Sequence, residues 1–237
     1  MQGERSFHIF YQMIRGASEE DRAAWRLPDG ISGFKYLSGV GAVTTIDGVD
    51  DAAEFKDVRD AMTAVHIEPD IQHSIFKIVA AVLWLGNVTF NAKNDDETHV
   101  VVDDAFTNVS ELLGVPPERL IFALTHRLMT VGKETYEKTL NFDNAMDTRD
   151  ALAKALYAAL FSFIVDRVNA SLASEKRLSG KFISILDIYG FESFTKNSFE
   201  QLCINYANER LQQQFNKHLF KLEQVCADPR TPHTPCA

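Results

Sequence analysis

Cysteine is scarce in this chain: Cys203, Cys226 and Cys236 are the three in 237 residues. Their spacing fits no zinc or redox motif, so reduced thiols in a cytosolic protein are expected. Basic residues are also in deficit, 24 Lys and Arg against 33 Asp and Glu, for a formal charge of -9. That balance argues against a general nucleic-acid binder and gives no bulk attraction to an acidic filament or membrane; any such contact needs a local basic loop. Long apolar runs are missing too. The longest are Ile78–Leu85 and Ala151–Val165, the second interrupted by Lys154. Both fall short of the roughly 20 residues of a membrane span and read as buried helices. No secretory signal is visible, because Glu4, Arg5 and His8 break the apolar positions at the start. A phosphate-cradling Walker loop is absent as well. Gly132-Lys133 is followed by Glu134 where Ser or Thr is required, and Arg127 stands where the earlier glycine should be. No internal repeat is found.

What the chain does contain is bulk for a core: 46% apolar residues and 17 phenylalanines, beside an ordinary 24% of charged residues. The length allows one large domain or two small ones. Residues 7–17 are densely apolar and close with Gly16, which predicts a buried helix. Leu27–Gly48 is rich in Gly, Ser and Thr and reads as loop with short strands. From Asp50 apolar residues recur at helical spacing behind a cluster of acids. A second helix is expected from Pro69 to about Leu85, ended by Gly86. Val88–Phe90 and His99–Val102 suggest two strands around Asn94-Asp95-Asp96-Glu97, a solvated turn without calcium-loop spacing. Helices over Thr107–Leu113 and Pro117–Leu128, an exposed loop or hairpin over Val131–Leu140 and a long helix over Asp143–Ser174 follow. Lys181–Ile188 is a continuous apolar run of strand length, expected to be central in a sheet with both faces covered. After a loop at 189–197, Asn197 and Ser198 each precede a Glu or Gln by three residues, the pattern of a capping box. The helix they open is expected to run to about Gln224. The tail at 226–237 is rich in proline and expected to be disordered.

The chemistry concentrates at Asp187-Ile188-Tyr189-Gly190-Phe191-Glu192, directly behind the apolar run. A carboxylate at a strand end can orient water on a nucleotide-bound Mg²⁺. A glycine three residues on lets a backbone N–H approach a terminal phosphate with no Cβ in the way. An acid two residues further can order the attacking water or make an ion pair with another loop.

Four blocks give these residues a context. Asp187–Glu192 resembles the second switch loop of myosins. Ser198–Gln224, SFEQLCINYANERLQQQFNKHLFKLEQ, resembles the relay helix that follows it. Asp150–Lys154, DALAK, resembles a signature in the long helix upstream, and Gly3–Gln12, GERSFHIFYQ, a segment found after the first switch. Their order and spacing agree with the family across nearly all of residues 3–224, and the wording is nearest plant-type myosins. The resemblance implies a mostly α fold with a small β component. It would be part of a P-loop-NTPase-like motor, comprising the upper and lower fifty-kilodalton regions, one central-sheet strand and the relay helix over residues 1–225. It implies an actin-based motor that uses ATP and Mg, with Asp187 holding Mg²⁺ through water and the Gly190 N–H sensing the γ-phosphate. Glu192 would form an ion pair with the first-switch arginine and help order the hydrolytic water. Movement of the loop would bend the helix behind it, a bistable packed element. Sixteen residues ahead of Asp150 stands Glu134, where myosins carry an acidic or phosphorylatable residue in a loop that meets actin. An acid there implies constitutive actin coupling. The implied partners are the actin filament, the rest of the motor and light chains, with no nucleic acid and no membrane span. The implied place is the cytoplasm, in the cytoskeleton and a myosin complex.

The Walker loop and first switch that precede GERSFHIFYQ in the family are not in this sequence, nor are the second actin-binding loop, reactive-thiol helix and converter. The chain alone is therefore expected neither to bind ATP tightly nor to hydrolyse it. A strand at 181–188 without its sheet neighbours would leave unpaired edges and poor solubility. Two other readings remain: a non-enzymatic helical module with an actin or partner surface, and an unrelated GTPase-like switch, disfavoured because no guanine-reading segment is present. His66 and His73 read as ordinary partly exposed histidines, and Trp25 and Trp84 as core.

Overall fold

The computed structural model describes residues 5–39, 41–132, 134–172, 186 and 188–227. The chain forms two compact units, Met1–Glu175 and Lys176–Ala237. The described hydrophobic core lies between Phe10 and Leu160, entirely within the first unit.

The first unit is built on helices whose ends are written in the sequence. Helix α1 (His8–Gly16) buries Phe10, Tyr11, Met13 and Ile14. It packs on α3 (Asp51–Ala64). Gly16 makes that approach possible: a Cβ there would stand 2.6 Å from the Phe55 Cβ. Between them lies a short helix not foreseen above, α2 (Glu19–Ala24), capped by the Ser18 Oγ, which accepts from the Asp21 N–H at 3.1 Å. The Gly-rich segment holds a single 3-10 turn, Ile31–Gly33, and no strand among its described residues. Asp50 caps α3 by accepting from the amides of Ala52 and Ala53.

Helix α4 (Pro69–Leu85) starts and stops where Pro69 and Gly86 place it. Apolar on most of its circumference, it is the central core helix. It packs against α5 (Asp104–Leu113) and α7 (Phe142–Leu172). Strands β1 (Phe90–Ala92) and β2 (Thr98–Val100) pair antiparallel around the acidic turn, in which Lys93 and Glu97 form an ion pair at 3.0 Å. Asp103 caps α5 through the Phe106 N–H. Helix α6 (Pro117–Thr125) ends three residues short of expectation, because His126–Val131 forms β3 and pairs residue for residue with β4 (Glu134–Thr139). Ladder hydrogen bonds to β4 replace a last helical turn that local sequence alone could not exclude. Gly132 turns this hairpin at φ +67°, a conformation side chains with a Cβ avoid.

Trp25 is fully buried, 5.1 Å from the Phe76 ring centroid, and donates from Nε1 to His73 Nδ1. Trp84 is half-buried and donates to the Arg26 carbonyl. His66 is exposed in a left-handed conformation beyond α3, and Pro69 starts a separate helix behind it, so the two histidines do not share one helix.

The DALAK signature has a structural role. The Tyr36 hydroxyl donates to Asp150 Oδ1 at 2.5 Å, and buried Arg149 donates to the same oxygen and to the Val88 carbonyl. This network ties the Gly-rich loop to α7 and to the end of α4. Burial first, then the bond to Asp150, holds the Tyr36 phenol neutral well above its ordinary range. The unfolded chain ionises Tyr36 near pH ~10 while the fold resists, so this contribution is intact below about pH 10 and is lost as pH rises beyond it. Tyr36→Phe should flatten the alkaline decline in melting temperature. A slope unchanged above about pH 10 would show that Tyr36 contributes nothing there.

The second unit contains α8 (Phe199–Ala227), one continuous helix. It includes Ala227, so the tail expected from residue 226 begins inside the helix; 228–237 lie outside the described residues. Of the central strand expected at Lys181–Ile188, residues 181–185 and 187 lie outside the described residues. Leu186 and Ile188 belong to no strand and are 69% and 45% exposed. The described strands form two separate two-stranded hairpins.

Candidate functional site

Asp187 lies outside the described residues. Gly190 and Glu192 lie on the loop entering α8, Gly190 exposed and Glu192 half-buried. Among the described residues nothing stands within 4 Å of the position a Gly190 Cβ would occupy, and its backbone is not left-handed. Neither packing among the described residues nor backbone conformation requires glycine there, in contrast to Gly86, whose Cβ would strike the Tyr36 ring at 2.7 Å.

The loop is joined to its helix by side-chain amides. Ser198 Oγ accepts from the Glu200 N–H, and Gln201 Oε1 accepts from the Ser198 N–H at 2.7 Å, the reciprocal cap read from the sequence. Asn197 does not complete a second box. Its carboxamide accepts from the Phe194 N–H and donates to the Phe194 carbonyl, both at 2.9 Å. Asn205 does the same for Glu192, accepting from its N–H at 2.8 Å and donating to its carbonyl at 2.7 Å. Sequence reading missed Asn205. The available signal was a polar amide in a helix interior, where asparagine is disfavoured unless it has a partner.

Glu134 is in the other unit, exposed at the first position of β4, and accepts a hydrogen bond from the Tyr136 hydroxyl. That bond is the main cause of the raised Tyr136 pKa. Two exposed apolar side chains, Leu128 and Met129, stand on the facing strand. Among the described residues no cluster of ligating side chains could hold a metal ion, and no helix is long and apolar enough to cross a membrane.

One unit is a helical body with an exposed hairpin over 126–139, and the other holds a glycine-bearing loop clamped to a long helix, which defines the class: a mostly α protein whose candidate chemistry sits at a helix entrance. The myosin head (motor domain) family model matches residues 1–226, and the chain belongs to that family. It is 51% identical to Myosin-1 of Arabidopsis thaliana over 225 residues, covering 94% of this chain and 19% of that protein. Myosin-3 of the same plant is 50% identical over 225 residues, with the same two coverages. Unconventional myosin-Vb of Rattus norvegicus is 44% identical over 223 residues, 93% of this chain and 12% of that protein. The chain spans about a fifth of the length of the plant relatives it matches.

Proposed function

We propose that this chain is the part of an actin-based motor that carries its second switch and relay helix, coupling ATP hydrolysis to movement on actin filaments. Residues 1–225 are then a partial motor domain, with Asp187–Glu192 as the switch and α8 as the relay. The observation that carries this reading is Gly190. Its sequence context is that of a phosphate-sensing turn, and its flank is open where a Cβ would otherwise block a ligand. On this reading the terminal phosphate of ATP approaches the exposed Gly190 backbone, and Mg²⁺ bound beside it would neutralise charge developing on the phosphates. In this assignment the Gly190 N–H meets the phosphate, Asp187 holds the Mg²⁺ through water, and Glu192 orders water and pairs with an arginine from outside this sequence. Glu134, exposed on its hairpin, supplies the acidic actin contact. The partners are actin, the remaining motor segments and light chains. The setting is the cytoplasmic cytoskeleton, within a myosin complex.

The test is to graft residues 1–225 into Arabidopsis Myosin-1 in place of its matching segment. Magnesium-dependent ATP turnover, stimulated by actin, is expected from the graft and not from the 237-residue chain alone. Actin binding by the graft without turnover would favour the non-enzymatic helical module instead.

A further inference from the structure

Beside the contact of α7 with α4, two hollows of about 310 and 560 Å³ open side by side and share Ser74, Ile78 and Leu156. The smaller is walled by apolar side chains of the two helices, among them Ile71, Ile75 and Phe163. Its one polar residue, Ser74, already donates its hydroxyl to the Asp70 carbonyl at 2.9 Å, so nothing there calls for a polar guest. The larger extends to α5 and α6 and carries two cations, Lys77 of α4 and Arg119 of α6. Neither cation is in an ion pair among the described residues. Among the described residues no Asp or Glu lines either hollow, although the chain has a formal charge of -9. The furrow is therefore polarised, with positive charge at one end and an apolar trough at the other.

We propose that this furrow is a binding site for a free single-chain anionic amphiphile, a carboxylate with an unbranched acyl tail. The head lies by Lys77 and Arg119, and the tail runs past Ile78 and Leu156 into the smaller hollow. An apolar cleft of this volume with a few charged groups is the usual form of a small-molecule site. Lys77 is half-buried, so its charge is less screened than that of a surface lysine. Each tail methylene covered by the trough should raise affinity roughly fourfold. The furrow is concave and takes its walls from several helices, which suits a free amphiphile and not one held in the plane of a bilayer. The proposal does not rest on the nucleotide-switch reading.

Equilibrium dialysis of labelled dodecanoate against the 237-residue chain, below the concentration at which dodecanoate forms micelles, tests the site. A single saturable site per chain is expected. Lys77→Gln combined with Arg119→Gln should weaken it about tenfold or more. Lys138→Gln, on the exposed hairpin, should change nothing. Ala159 is exposed and lines the smaller hollow, so Ala159→Glu should leave the fold intact and abolish binding by setting a carboxylate beside the tail. Hexanoate, with the same head and half the tail, should bind about a hundredfold more weakly or worse. Dodecylammonium, with the same tail and the opposite charge, should show no saturable binding. Non-saturable uptake of dodecanoate, or saturable binding that the Lys77, Arg119 and Ala159 variants leave unchanged, overturns the proposal. Equal binding of dodecanoate and dodecylammonium does so too. Sedimentation of the ligand-free chain checks for a second copy in the furrow. Self-association abolished by Ala159→Glu, with no dodecanoate bound by the parent chain, overturns the proposal in favour of copies packed together.

Discussion

Gly190→Ala in the grafted motor should reduce actin-stimulated ATP turnover by about two orders of magnitude, the usual cost of losing one well-placed donor to the transferring group. The same substitution in the 237-residue chain should leave stability within about 0.5 kcal/mol, as for a surface change away from special features. The contrast follows from geometry. Among the described residues the added methyl meets no atom within 4 Å, and the backbone is not left-handed, so these residues give the fold no reason to resist it. A phosphate brought against the Gly190 N–H would meet that methyl directly. Turnover and denaturant midpoint, measured on the same variant, separate the two effects. Undiminished turnover would remove Gly190 from the nucleotide site. A destabilisation above about 1 kcal/mol would show that the glycine serves the fold after all.

Asp51→Ala should destabilise the first unit by about 3–5 kcal/mol, the range for removing one partner of a buried ion pair. Asp51 is 2% exposed, and its Oδ2 accepts from the guanidinium groups of both Arg5 and Arg15 at 2.5 Å. The Arg5 side chain is 5% exposed and lies over the Tyr11 ring at 4.0 Å, so it cannot turn to water when its partner is lost. The triad is already one carboxylate against two cations, and Arg5 Nε, Arg5 Nη1 and Asp51 Oδ1 have no hydrogen-bond partner among the described residues. Removing the carboxylate from α3 leaves two guanidinium groups, from α1 and the segment leading into it, with no counter-charge between them. Arg15→Met should cost far less, because its side chain is 32% exposed and its removal relieves the excess positive charge. Urea unfolding followed by tryptophan fluorescence reads this unit specifically, since Trp25 and Trp84 both lie in it. A shift for Asp51→Ala no larger than that for Arg15→Met would mean the triad does not hold α1 to α3.

Helix ends were the most legible feature. Pro69, Gly86, Asp50 and Ser198 each act through hydrogen bonds or steric limits within a few residues, and each marks the boundary it predicts. The hairpin over 126–139 was legible only in part, since its turn was expected but its first strand was assigned to a helix. The ladder bonds that decide between the two join residues as far apart as His126 and Thr139, which local periodicity does not report. The candidate loop was read from the order of Asp187, Gly190 and Glu192, whereas the Asn205 clamp on Glu192 was not, because an asparagine inside a helix does not say which residue thirteen positions away it meets.

By itself the sequence determined the family, the helical character and most helix boundaries, because caps, turns and apolar spacing are local properties of adjacent residues. Tertiary structure alone decided that Asp51 would gather Arg5 and Arg15 across 46 and 36 residues, that Tyr36 would reach Asp150 across 114, and that Asn205 would hold Glu192. Such pairings come from chain segments brought together by burial of the core. Their energies depend on burial and angle, which residue order does not encode locally.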